Sequence, residues 1–73
     1  MPRKLRQLKA DLRRAGAFQV SQEGSHAKWK HALVPGSMLI LSGNDGDDAK
    51  PYQERALRDV LRAIAEVRRR TGS

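Results

Sequence analysis

The run Gly24-Ser25-His26-Ala27-Lys28-Trp29-Lys30-His31 holds the residues of this chain best suited to chemistry. An imidazole with an ordinary pKa of about 6.5 accepts or donates a proton at cellular pH, and ammonium groups beside it hold an anion such as a phosphate within reach. Read as extended backbone, the run alternates its side chains, so His26, Lys28 and Lys30 share one face and Ala27, Trp29 and His31 the other. Trp29 is the largest apolar side chain and the natural inward residue, which sends His26, Lys28 and Lys30 outward. The inference is sensitive to a single residue, because a bulge between Gly24 and Trp29 would break the alternation. The plain alternative is that His26 is only a polar residue on a solvated strand face.

Other residues invite chemical readings that compete with structural ones. Ser25 is placed to hydrogen-bond a phosphate or to orient His26, and serine after glycine also serves turn formation. His31 falls on the inward side or at the strand end beside Trp29, where packing or a backbone hydrogen bond is expected of it. Trp29 has the means to stack an unpaired base, but Phe18, Trp29 and Tyr52 are the only aromatics and the core has first claim. Asp45, Asp47 and Asp48 lie among glycines but do not complete an EF-hand, which needs a later glutamate. Helix capping and turn formation are expected there, with Asp47 or Asp48 favoured by the helix dipole. Arg68, Arg69 and Arg70 either grip phosphates or form a solvated helix end. With no cysteine, and two histidines lacking suitably spaced carboxylates, neither a metal site nor a cofactor is expected.

The elements that must position these groups follow from periodicity. From Lys4 to Ala15, Leu5, Leu8, Leu12 and Ala15 recur at helical spacing, with Pro2 suited to the start and Gly16 to the C-cap. Phe18-Gln19-Val20-Ser21 alternates as a first strand, and Gln22-Glu23-Gly24 reads as a tight turn into the histidine-bearing second strand. Pro35-Gly36 suits the centre of a type II turn, so Met38 to Leu41 returns as a third strand, one whose lack of alternation suggests good coverage by helices. The segment 42–48 is loop by composition. From about Pro51 to about Arg70, Leu57, Val60, Leu61, Ile64 and Val67 form a second helical stripe, with Arg55/Asp59, Glu54/Arg58, Arg62/Glu66 and Glu66/Arg70 as i, i+4 pairs. Thr71-Gly72-Ser73 should fray. The expected architecture is α+β, in the order α-β-β-β-α, with a three-stranded antiparallel sheet and two helices on one face.

Composition bounds the function. At 73 residues the sequence reads as a single domain spanning 1–73, able to bury roughly 60% of its unfolded surface, so a large active-site cavity is not expected. No apolar run suits a membrane span and no signal-peptide block is evident, making the cytoplasm the expected location. Fifteen Lys and Arg against eight acids give +7, distributed as +5 over residues 1–16, −1 over 17–51 and +3 over 52–73. Two basic ends point to nucleic acid or another anionic partner, or to solubility alone.

This order of elements has Gly24-Ser25-His26 opening the second strand and Trp29 and His31 following. The late helix is entered through Gly46-Asp47-Asp48-Ala49-Lys50-Pro51-Tyr52-Gln53. Over nearly the whole chain it resembles the HicA family of small toxins. The resemblance implies a double-stranded-RNA-binding-domain-like fold, ribonuclease activity on messenger RNA with His26 as the catalytic histidine, and a HicB antitoxin that covers the active surface. Many members carry Pro-x-His near the end of the third strand. Leu41-Ser42-Gly43-Asn44 stands there in this chain, so a role resting on that second histidine does not transfer.

Residues and resemblance together predict a metal-independent endoribonuclease that uses the substrate's own 2′-hydroxyl as nucleophile. His26 is its general acid or base, and Ser25, Lys28 and Lys30 bind RNA. A toxin relying on one imidazole should be slow, since such catalysis supplies about 10² to 10⁴ in rate. The alternatives are a non-catalytic RNA-binding module, which needs the same basic surface but no reactive His26, and a small DNA-binding regulator, for which no helix-turn-helix is evident.

Overall fold

A computed structural model describes residues 2–71. The elements run α1 (Leu5–Arg14), β1 (Phe18–Glu23), β2 (His26–Lys30), β3 (Leu39–Ser42) and α2 (Pro51–Arg70). The strands form one antiparallel sheet in the order β1-β2-β3, so the fold is the predicted α-β-β-β-α arrangement. Of Thr71-Gly72-Ser73, expected to fray, Gly72 and Ser73 lie outside the described residues, and Thr71 instead caps α2, its N–H donating to the Val67 carbonyl.

Two amphipathic helices and one sheet face bury one another. Leu5, Leu8 and Leu12 of α1 and Leu57 of α2 close over Ala27, Trp29, Leu39 and Leu41, all on the same side of β2 and β3. Trp29 is 2% exposed, with the Arg13 guanidinium 5.3 Å from its ring centroid. This burial removes Trp29 as a base-stacking platform. β1 lies beyond the helices, and none of its six residues is buried.

β3 differs from its predicted character. Leu39 and Leu41 are buried, whereas Ile40 is 46% exposed and Met38, just before the strand, 50%. An unbroken apolar sequence here does not mean coverage on both faces, because both helices pack on one side only. The Pro35-Gly36 turn is present, with the Ser37 N–H donating to the Val34 carbonyl at 2.9 Å, but Gly36 does not take the positive φ that type II requires.

Gly16 closes α1 as expected, whereas the N-terminal caps depart from expectation. α1 ends in a Schellman motif, the Ala17 N–H donating to the Leu12 carbonyl and the Gly16 N–H to that of Arg13. At the other ends, Gln7 Oε1 accepts from the Lys4 N–H at 2.7 Å and Gln53 Oε1 from the Lys50 N–H at 2.8 Å, so glutamines and not aspartates close the caps. The Asp-rich loop serves α1 instead. The Leu5 and Arg6 N–H groups, unpaired within the helix, donate to the carbonyls of Asp47 and Asp45. The expectation that Asp47 or Asp48 caps α2 fails because the loop folds back on the first helix.

Among the described residues none of the four i, i+4 pairs predicted on α2 closes. Glu54 reaches across to Arg3, and Glu66 pairs with Arg69.

Candidate active site

The β1–β2 hairpin places His26. Its turn is Gly24-Ser25, one step later than the sequence suggested, since Glu23 pairs with His26 across it. Gly24 takes φ +58° and Ser25 a negative φ, the sign pattern of a type II′ turn, which matches strand twist and needs glycine first. The irregularity in the sheet falls on β1 between Gln19 and Ser21, so β2 keeps its alternation. Ala27 and Trp29 are therefore buried, His26 is exposed, and Lys28 and Lys30 are half-buried on the opposite face.

His26 is held from one side. Its Nδ1 lies 2.9 Å from Ser42 Oγ, directly across the β2–β3 pairing. The Ser42 carbonyl accepts from Gln53 Nε2 at 3.0 Å, and Gln53, on α2, is 2% exposed. A chain of contacts thus runs from the second helix through the third strand to the imidazole. Its other ring nitrogen, Nε2, has no partner among the described residues and faces solvent. Sequence reasoning missed Ser42 because the third strand was expected to stop at Leu41; the strand register would have revealed it.

The loop after Ser42 fixes this end of the sheet. Gly43 donates its N–H to the Ser25 carbonyl at 2.9 Å, joining loop to hairpin turn. It has φ +121°, and a Cβ there would lie 2.7 Å from Leu5 Cδ1, so close approach to α1 demands glycine. Lys9 Nζ, on a side chain only 8% exposed, meets Asp45 at 2.6 Å, and Lys4 pairs with Asp48. The hydrogen bond from Lys9, and then its charge, hold the Asp45 carboxyl below its ordinary pKa. Arg3 bridges Asp11 and Glu54, whose hydrogen bonds, that of Asp11 foremost, raise its already high pKa.

The predicted site residues fall as follows. His26, Lys28 and Lys30 share the open sheet face, and neither lysine has an ion-pair partner among the described residues. Ser25 is exposed beside His26; its carbonyl is engaged by Gly43 and its hydroxyl has no partner among the described residues. Glu23 stands directly opposite His26 on β1. Asp45, Asp47 and Asp48 do not converge on a common point: Asp47 accepts from the Asn44 N–H while the other two meet separate lysines. Among the described residues no group of three His, Cys, Asp or Glu side chains is arranged to hold a metal. The groove of about 600 Å³ lined by Arg3, Glu54, Arg55 and Arg58 includes none of the predicted site residues.

No helix among the described residues is long and apolar enough to cross a membrane. No curated protein and no solved structure matches the chain. The model of one family, described as the HicA toxin of bacterial toxin–antitoxin systems, matches residues 5–66, covering α1, all three strands with the His26 face, and α2 as far as Glu66. The chain belongs to the HicA toxin family and is thereby the toxin member of a toxin–antitoxin pair.

Proposed function

We propose that this toxin is a metal-independent endoribonuclease acting on messenger RNA, with His26 as its general acid or base. The observation that carries the reading is an imidazole fixed through Nδ1 by Ser42 with Nε2 exposed on a face bearing two unpaired lysines. Cleavage needs no outside nucleophile: the RNA 2′-hydroxyl attacks the adjacent phosphorus, the 5′-oxygen of the next nucleotide leaves, and a 2′,3′-cyclic phosphate and a 5′-hydroxyl result. With Nδ1–H donating to Ser42 Oγ, Nε2 carries a lone pair and accepts the 2′-hydroxyl proton. With both ring nitrogens protonated, Nε2–H delivers a proton to the leaving oxygen. Lys28 and Lys30 hold the phosphate and offset charge developing on it, and Ser25 adds a hydroxyl at the turn.

A toxin–antitoxin pair implies an antitoxin partner. We take it to be of the HicB type and to act by covering the open face of β1, β2 and β3. The cytoplasm, where messenger RNA is found, is the proposed site of action, and residues 1–73 act as a single domain.

The decisive experiment incubates purified protein and His26→Ala with RNA in chelator. Cleavage by the wild type with cyclic-phosphate ends, slowed about 10²- to 10⁴-fold in the variant, is expected. Equal cleavage by both removes His26 from the mechanism; intact RNA in a stable complex with wild type makes the protein a binding module.

A further inference from the structure

We propose that the open sheet face is a platform for single-stranded RNA, on which Phe18 stacks an unpaired base while Lys28 and Lys30 engage the backbone that leads to His26. The proposal rests on the nuclease reading only for the direction of the strand; the binding itself stands separately.

In a chain with three aromatics, Phe18 is 50% exposed although an apolar core was available to it. Its position explains why. Phe18 is the cross-strand partner of Lys30, and directly opposed residues project to the same side, so the ring stands on the face away from both helices. Lys28 is flanked on that face by Ser21 and by Ile40, the latter 46% exposed. Met38, just before β3, is 50% exposed. The surface thus alternates apolar and cationic groups across three strands: Phe18 beside Lys30, Ile40 beside Lys28, then His26. Its one acid, Glu23, lies at the His26 end.

That alternation matches the chemistry of a polynucleotide better than that of a protein surface with bulk hydrophobicity. Each unpaired nucleotide offers a flat π-face and one negative charge, and aromatic rings interleaved with basic groups recognise both. Continuity supplies the second argument. A polynucleotide whose phosphate lies at His26 must extend beyond it, and Lys28 and Lys30 follow along β2, with Phe18 beside Lys30 on β1. Lys30 is four residues from His26, roughly 13 Å at strand rise, so a short oligonucleotide and not a single nucleotide is needed to touch both. A duplex presents no free base face to Phe18, which makes unpaired RNA the preferred ligand.

The test measures binding of a short labelled single-stranded RNA by fluorescence anisotropy across a salt series, in the His26→Ala background so that the ligand stays intact. Phe18→Ala should weaken binding at least about five-fold with the salt slope unchanged, because stacking is lost and no phosphate contact is. Phe18→Trp should restore affinity, and Lys30→Gln should lower the log–log salt slope by about 0.7. Circular dichroism confirms that each variant is folded; Phe18 contributes nothing to the buried core. Unchanged RNA affinity in Phe18→Ala overturns the proposal, as does full rescue by Phe18→Leu, which would mean apolar contact without stacking. Loss of antitoxin binding by Phe18→Ala with RNA binding intact reassigns the face to protein docking and likewise overturns it. If His26→Ala cleaves RNA normally the nuclease mechanism fails, and the same series run with 2′-O-methyl RNA, which lacks the attacking hydroxyl and stays intact, still measures the Phe18 effect on affinity and decides the platform by itself.

Discussion

His26 and His31 lie five residues apart and occupy opposite kinds of surroundings. His31 is 6% exposed and uses both nitrogens: Nε2–H donates to the Ala15 carbonyl at 2.8 Å, and Nδ1 accepts the Leu33 N–H at 3.0 Å. The same Ala15 carbonyl receives the Arg68 guanidinium at 2.7 Å, so the imidazole ties the end of α1 to the chain leaving β2 while Arg68 ties the same carbonyl to α2. His26 is exposed, is touched at Nδ1 alone and leaves Nε2 open. The two ends of the sheet differ in the same sense. Burial closes the His31 end, whereas a loop clipped by Lys4–Asp48 and Lys9–Asp45 closes the His26 end. What distinguishes a reactive candidate from a structural histidine is therefore how many of its ring nitrogens the fold has already committed.

Exchanging the losses is the strongest way to break this contrast. His31→Ala removes two hydrogen bonds, strands the Leu33 N–H and opens a void, together costing about 2–4 kcal/mol. For a domain of this size the thermal midpoint should fall by about 10 °C or more. His26→Ala should stay within about 0.5 kcal/mol of wild type, as surface substitutions do. Calorimetry on both variants checks the pair; a His31→Ala midpoint within a degree of wild type would dissolve the distinction.

A smaller effect is expected at Ser42, which separates positioning from chemistry. Ser42→Ala deletes one contact worth about 1 kcal/mol, so kcat should drop about five-fold with KM held, and Ser42→Thr should restore it. The ring nitrogen shifts of His26 in NMR should move with kcat. Unaltered nitrogen shifts and unaltered kcat would show that the imidazole needs no partner.

Much of this contrast was legible in the sequence, and the rest depended on contacts that local patterns do not encode. Alternation around Trp29 places His26, Lys28 and Lys30 outward and His31 inward, because the largest apolar side chain fixes the face of the whole strand. The helix spans followed from leucine spacing for the same reason. Ser42 was not legible: its link to His26 depends on register across a turn of unknown length. Nor was Gln53, which looks like a polar residue of a helix and is buried beneath Ser42. The aspartates were misassigned because sequence proximity favours α2 while the folded loop reaches α1. Phe18 was read only as an apolar strand position, since nothing local reveals that the helices stop short of β1.

The smallest expected effect concerns the electrostatic clip at the His26 end. Asp45 has its pKa lowered in the folded protein by Lys9, so its charged form stabilises the fold at neutral pH. That contribution is fully present above the ordinary carboxylate value of about 3.8 and is lost as pH falls through the lower folded value. Asp45→Asn should therefore melt below wild type at pH 7, and the gap should close on acidification below about pH 4. Added salt should narrow it as well, because Asp45 is 65% exposed and its attraction to Lys9 is partly screened. His31→Ala, whose losses are neutral hydrogen bonds and packing, should show no such closing with salt. Thermal melts of the two variants across pH and ionic strength check this directly. No gap for Asp45→Asn at pH 7 would mean that the loop is held by its backbone bonds to Leu5 and Arg6 and not by charge, and a gap that persists unchanged at pH 2 would mean that the substitution acts otherwise than through the carboxylate charge.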